Sequence, residues 1–129
     1  MNVLRITSKN RARYENTSVV FDGRIEISPK MGWLSFLSIS ATRSIVAEAG
    51  SGIEAGLGIK AGSGIKAGSG IKAGSGIEAG EGIEAKTLSV TLRIFAGLCM
   101  WRIPAPEEME IRAKVISGTV CHGTIVEPK

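Results

Sequence analysis

Only a handful of side chains in this 129-residue sequence belong to types that commonly run reactions. A single histidine, His122, follows Cys121; Cys99 is the other cysteine; and Glu107, Glu108 and Glu110 form a short acidic run. Cysteine and histidine work as nucleophile and base only when their side chains meet, yet neighbours along a strand face opposite ways. A catalytic zinc needs three protein ligands, and one histidine with two distant cysteines does not supply a recognised spacing. The acidic run reads as a helix start or solvated turn rather than as paired catalytic carboxylates. Glycine is abundant, but no Gly-Lys-Ser/Thr follows it as a phosphate loop requires. These residues predict a protein that is not an enzyme, with no metal and no cofactor.

The elements that hold these side chains are dominated by a repeat. "AGSGIKAGSGIKAGSGIE", residues 61–78, states nearly the same six residues three times. Isoleucine recurs at Ile53, Ile59, Ile65, Ile71, Ile77 and Ile83, followed by a charge, Ala, Gly, a variable residue and Gly. Of the 17 glycines, 12 fall between Gly50 and Gly82. A flexible Gly/Ser linker has no use for a strictly placed isoleucine. Collagen needs glycine at every third position, whereas the spacing here alternates two and four. A β-solenoid fits: Ile and the Ala two residues on share the inward side, the charge between them points to water, and the glycines make corners. One repeat buries too little alone, so the coils must stack, each buried isoleucine contributing roughly 1.5–3 kcal/mol.

Charge decides how many repeats make a coil. With three hexapeptides, about 18 residues, Glu48 stacks on Lys66, Glu54 on Lys72, Lys60 on Glu78 and Lys66 on Glu84, all of opposite sign. A shorter coil stacks lysine on lysine. The expectation is an all-β parallel helix of triangular coils with irregular amino- and carboxyl-terminal caps.

The period, the aliphatic residue opening each hexapeptide and the small residue four positions later resemble the hexapeptide-repeat left-handed parallel β-helix family, over about Ala47 to Lys86. The resemblance implies the handedness. It also brings in acyltransferases with a histidine beside a coil-derived groove, and carbonic anhydrases with histidine-bound zinc. This chain departs from both, because His122 lies outside the repeats. Lys60, Lys66 and Lys72 also depart from the small or acidic residue often found after the aliphatic one. Leu57 replaces the small Ser and is expected to fill the interior; Glu81 at the same slot is expected either at an open corner or near the end of the solenoid.

Residues 21–100 are read as solenoid, with regular repeats over 47–86. The six-residue beat extends upstream through Phe21, Ile27, Trp33, Ile39 and Ile45, with two residues inserted before Ile53. Downstream, Val90, Leu92 and Ile94 alternate with Thr91 and Arg93 as a strand; Ile111, Ala113 and Val115 alternate likewise. Residues 1–20 are expected as a basic cap and 101–129 as a β cap. The stretch from Met31 to Ala47 is too interrupted by hydroxyls and Arg43 to span a membrane. Without a signal-peptide pattern, and with two unpaired cysteines, a cytoplasmic setting is expected.

Net charge is +4, and residues 1–43 carry seven Lys/Arg against three acids. Arg5, Lys9, Arg11 and Arg13 are therefore candidates to meet an acidic partner. Trp33, Phe36 and Trp101 are the aromatic anchors expected at a protein contact. The function expected is binding through protein–protein contacts, as a homodimer, in a phage or bacterial inhibitor of a defence complex such as CRISPR machinery. The alternatives are a self-assembling filament and a nucleic-acid-binding module using the basic amino-terminal region.

Overall fold

The computed structural model describes residues 2–97 and 109–126, and they form a parallel β-solenoid of about five turns. The strands stack in tiers around three walls, each central tier giving a strand to each wall. The first tier holds β1 (Val3–Ile6), a single helical turn α1 (Arg11–Tyr14) and β2 (Ser18–Phe21). The second holds β3 (Arg24–Ile27), β4 (Gly32–Phe36) and β5 (Ser38–Ala41); the third holds β6 (Ile45–Ala47), β7 (Ser51–Ala55) and β8 (Gly58–Ala61). In the fourth, β9 (Ile65–Ala73) rounds a corner before β10 (Gly76–Ala79). The fifth tier is β11 (Ile83–Phe95), which runs along all three walls, as does β12 (Glu110–His122) above it. The last strand is β13 (Thr124–Val126), on β12.

Every pairing is parallel and aligns like residues. The first wall stacks Leu4, Ile25, Ile45, Ile65, Ile83, Ile111 and Ile125. The second stacks Leu34, Ile53, Ile71, Leu88 and Val115, and the third Val19, Ile39, Ile59, Ile77, Ile94 and Val120. The central members of all three columns are buried, as are the alanines two residues after each repeat isoleucine. The bore is thus filled by branched aliphatics and methyls, and its stability comes from tier-on-tier burial rather than from any one repeat.

Coil length varies along the axis. Ile25 sits on Ile45 and Ile39 on Ile59, twenty residues apart. Ile53 sits on Ile71, Ile59 on Ile77 and Ile65 on Ile83, eighteen apart, the length expected for three hexapeptides. Taken over the whole chain, a turn uses about 20 residues. In the longer early coils, large side chains take the slots that alanine fills later: Ile27 lies on Ala47, Phe36 on Ala55 and Phe21 on Ala41.

Three repeat glycines, Gly62, Gly68 and Gly74, are needed for a reason other than the one their corners suggest. No glycine between Gly52 and Gly82 has a left-handed φ. Instead, a Cβ on Gly62 would overlap the Thr42 carbonyl oxygen, and one on Gly74 would overlap that of Gly56. The corners turn so tightly against the tier below that main chain occupies the space of a side chain.

Three further expectations need correction. Glu48 does not stand over Lys66; Val46 does. The two extra residues before Ile53 follow Ala47, so Glu48 lies in an enlarged corner rather than on a strand. In that corner the fully buried Ser51 donates its hydroxyl to the Ser28 carbonyl (2.5 Å) and accepts the Met31 N–H (3.0 Å). Leu57 and Leu92 point outward instead of inward, because each sits at a corner where the alternation breaks. Trp33 is not the inward residue of β4; its neighbour Leu34 is.

The segments expected as caps continue the stack: β1 pairs with β3, and β12 with β11. On the second wall α1 replaces a first-tier strand, and the adjoining Asn16 N–H closes on the Ser35 carbonyl (2.8 Å). No helix among the described residues is long and apolar enough to cross a membrane.

Candidate interaction surface

Alternation along each strand puts a second set of columns on the outside. On the first wall Arg5, Glu26, Val46, Lys66, Glu84 and Arg112 succeed one another tier by tier. Arg5 bridges Glu26 (2.7 Å) and Glu48 (3.0 Å), and Lys66 meets Glu84 (3.6 Å). On the third wall Lys60 stands 3.9 Å from Glu78. On the second wall the column runs Ser35, Glu54, Lys72 and Ser89, with Ser35 Oγ donating to Glu54 (2.8 Å). Three of the four rungs expected from the sequence are therefore in register. Such exposed pairs are worth about 0–1 kcal/mol each, so they select alignment more than they add stability.

The basic candidates of the amino-terminal region do not form one open patch. Arg5 is held by its two carboxylates. Arg11 is tied to Glu15 (2.5 Å) and donates to the Met31 carbonyl (3.2 Å). Lys9 and Arg13 are exposed. Two of the four cations thus have their charge met locally, which weakens the attraction for a polyanion.

Among the aromatic candidates, Phe36 is 3% exposed and faces the bore, so no partner reaches it. Trp101 lies outside the described residues, as do Cys99, Glu107 and Glu108. Trp33 is 40% exposed and lies on the second wall. Its six-membered ring covers Gly52 and Gly70, where added Cβ atoms would stand 2.8 and 3.0 Å from it. The Lys72 ammonium is 4.7 Å from the indole centre, within cation–π range.

At the corner between the second and third walls, at the far end of β4 from Trp33, lies a column the sequence reading did not find. Leu57 N–H donates to Leu37 O (2.8 Å), Ser75 N–H to Leu57 O (2.5 Å) and Leu92 N–H to Ser75 O (3.1 Å). Leu37, Leu57 and Leu92 are thereby aligned, each about half exposed at 48, 52 and 57%. The signal for this column is leucine at the corner slot of the second, third and fifth tiers, with Ser75 in the fourth, legible only once the unequal coil lengths are known. A shallow groove of about 550 Å³ lies on the second wall beside Leu37, lined by Ser35, Glu54, Lys72 and Ser89 over Gly56 and Gly74.

Elsewhere, the His122 ring Nδ1 and the Ala96 carbonyl lie 2.5 Å apart, with Ala96 N–H returning a bond to the His122 carbonyl. Cys121 is exposed and free. Glu110 is paired with Arg112 (2.8 Å). Among the described residues no group of three or more His, Cys, Asp or Glu is arranged to hold a metal. No family model, no curated protein and no solved structure matches the chain.

Proposed function

We propose that this chain is a non-enzymatic β-solenoid that binds another protein through its outer surface and works as a homodimer. The observation that carries this reading is the exposure of Trp33 at one end of the second wall and of Leu37, Leu57 and Leu92 at the other. Exposed apolar residues scattered singly need no explanation, but an exposed aromatic and an aligned leucine ridge on the same wall mark a contact surface. The closely stacked tiers beneath hold that surface rigid, which lowers the entropy lost on binding.

A compact, rigid binder of this kind suits an inhibitor encoded by a phage or bacterium and directed at a defence complex, CRISPR machinery included. Affinity capture from a bacterial lysate, with the wild-type chain and Leu57→Asp compared side by side, tests the reading. A partner retained by wild type and lost by Leu57→Asp is the expected result. Turnover of acyl donors with no specific partner overturns it.

A further inference from the structure

The second wall has a symmetry that its sequence order hides. Consider a twofold axis lying in that wall, parallel to its strands, between the third and fourth tiers. It exchanges β7 with the part of β9 that carries Lys72, and β4 with the part of β11 that carries Ser89. A second copy placed by this axis sets its Lys72 against Glu54 and its Glu54 against Lys72. Ser35 then faces Ser89, and Leu37 faces Leu92. Trp33 belongs to the second tier, but its ring covers Gly52 of the third and Gly70 of the fourth, so the ring sits beside the axis. The two copies therefore bring their Trp33 rings together there. Charge and aromatic position select the same operator independently.

Two other arrangements fail on charge, the second with the axis kept between the third and fourth tiers. An axis running along the solenoid sets Glu54 against Glu54 and Lys72 against Lys72. On the first wall, the antiparallel operator sets Glu26 against Glu84 and Val46 against Lys66. The third wall does match Lys60 with Glu78, but its aromatic, Phe95, lies one tier beyond Glu78 and would face Ser40 rather than its own mate beside the axis.

We infer that the second wall is an isologous dimer interface, with a second copy of this chain packed antiparallel on it around Trp33, Glu54 and Lys72. This rests on and deepens the homodimer part of the proposed function, and it places the second copy on the Trp33 face, so the other protein and the second copy compete for that face. Lys72, resting against its own indole in the single chain, gains the carboxylate of the other copy. The indoles lose their exposed area to each other, as hot-spot aromatics do.

Cross-linking tests the operator. In a background with Cys99→Ser and Cys121→Ser, the double variant Ser35→Cys/Ser89→Cys should oxidise to a covalent dimer. Neither single variant should, because three tiers separate each residue from its own symmetry mate, about 14 Å. Trp33→Ala should weaken dimerisation about 30-fold or more by sedimentation, with Trp33→Phe restoring part of the loss. A wild-type chain that stays monomeric at high concentration overturns both this interface and the homodimer reading. A wild-type dimer in which single variants cross-link and the double gains nothing overturns this interface alone.

Discussion

Replacing Gly74 with alanine sets two expectations of opposite sign against each other. Gly74 does not occupy the left-handed region. On local conformation alone, alanine should stabilise by about 0.4–1 kcal/mol, because the unfolded chain loses freedom. The stacked corner says otherwise. The new Cβ overlaps the Gly56 carbonyl of the tier below, which is main chain and has no rotamer to yield. The corner must rise, straining the Gly74 N–H bond to Ala55 O, now 2.9 Å. Overpacking costs about 1–3 kcal/mol and a compromised backbone hydrogen bond about 1 kcal/mol, leaving a net loss of about 2–3 kcal/mol after the entropic gain. For a chain of this size that is a fall in melting temperature of about 8–12 °C. Gly64→Ala is the internal control: its Cβ would stand 3.3 Å from the Gly82 carbonyl oxygen, a contact that a small shift relieves. Its stability should stay within about 1 kcal/mol of wild type. Thermal unfolding followed by circular dichroism reads both. A Gly74→Ala protein as stable as Gly64→Ala, or more stable than wild type, refutes the claim that close stacking dictates these glycines.

Three other substitutions separate the contributions. Ser51→Ala leaves the Met31 N–H and the Ser28 carbonyl without their buried partner and should cost about 1–3 kcal/mol in urea unfolding. Ile71→Ala, at a fully buried site between Ile53 and Leu88, should cost about 2–5 kcal/mol by the same measurement. Arg11→Glu/Arg13→Glu should leave any DNA or RNA association and its salt dependence unchanged; abolished binding with a flattened salt dependence would instead support the nucleic-acid reading.

The middle of the solenoid was legible because its residues obey one rule per position. Ile53 through Ile83 and their alanines predict three inward columns, and Glu54, Lys60 and Lys66 predict their stacking partners. Legibility ended where coil length changed. Two residues inserted after Ala47 removed Glu48 from its strand, and nothing in the local pattern says whether an insertion widens a corner or shifts a register. Trp33 falls on the six-residue beat, yet Leu34 faces the bore, because the second tier lies nineteen residues below the third at Leu34 and Ile53. Leu92 alternates correctly with Val90 and Ile94, but a corner between those residues turns it outward. The candidate surface was the least legible part. Its members come from coils of different length, so Leu37, Leu57 and Leu92 align in space without any constant spacing in the chain.

Amide hydrogen exchange across the glycine tract addresses the stacked coil itself. The N–H groups of Gly56, Gly62 and Gly74 donate to Phe36, Ala41 and Ala55 at 2.9, 3.1 and 2.9 Å, each in the preceding tier. They should exchange as slowly as the isoleucine amides beside them, through global opening alone. Exchange of these glycines at the rate of an unstructured peptide would contradict the solenoid.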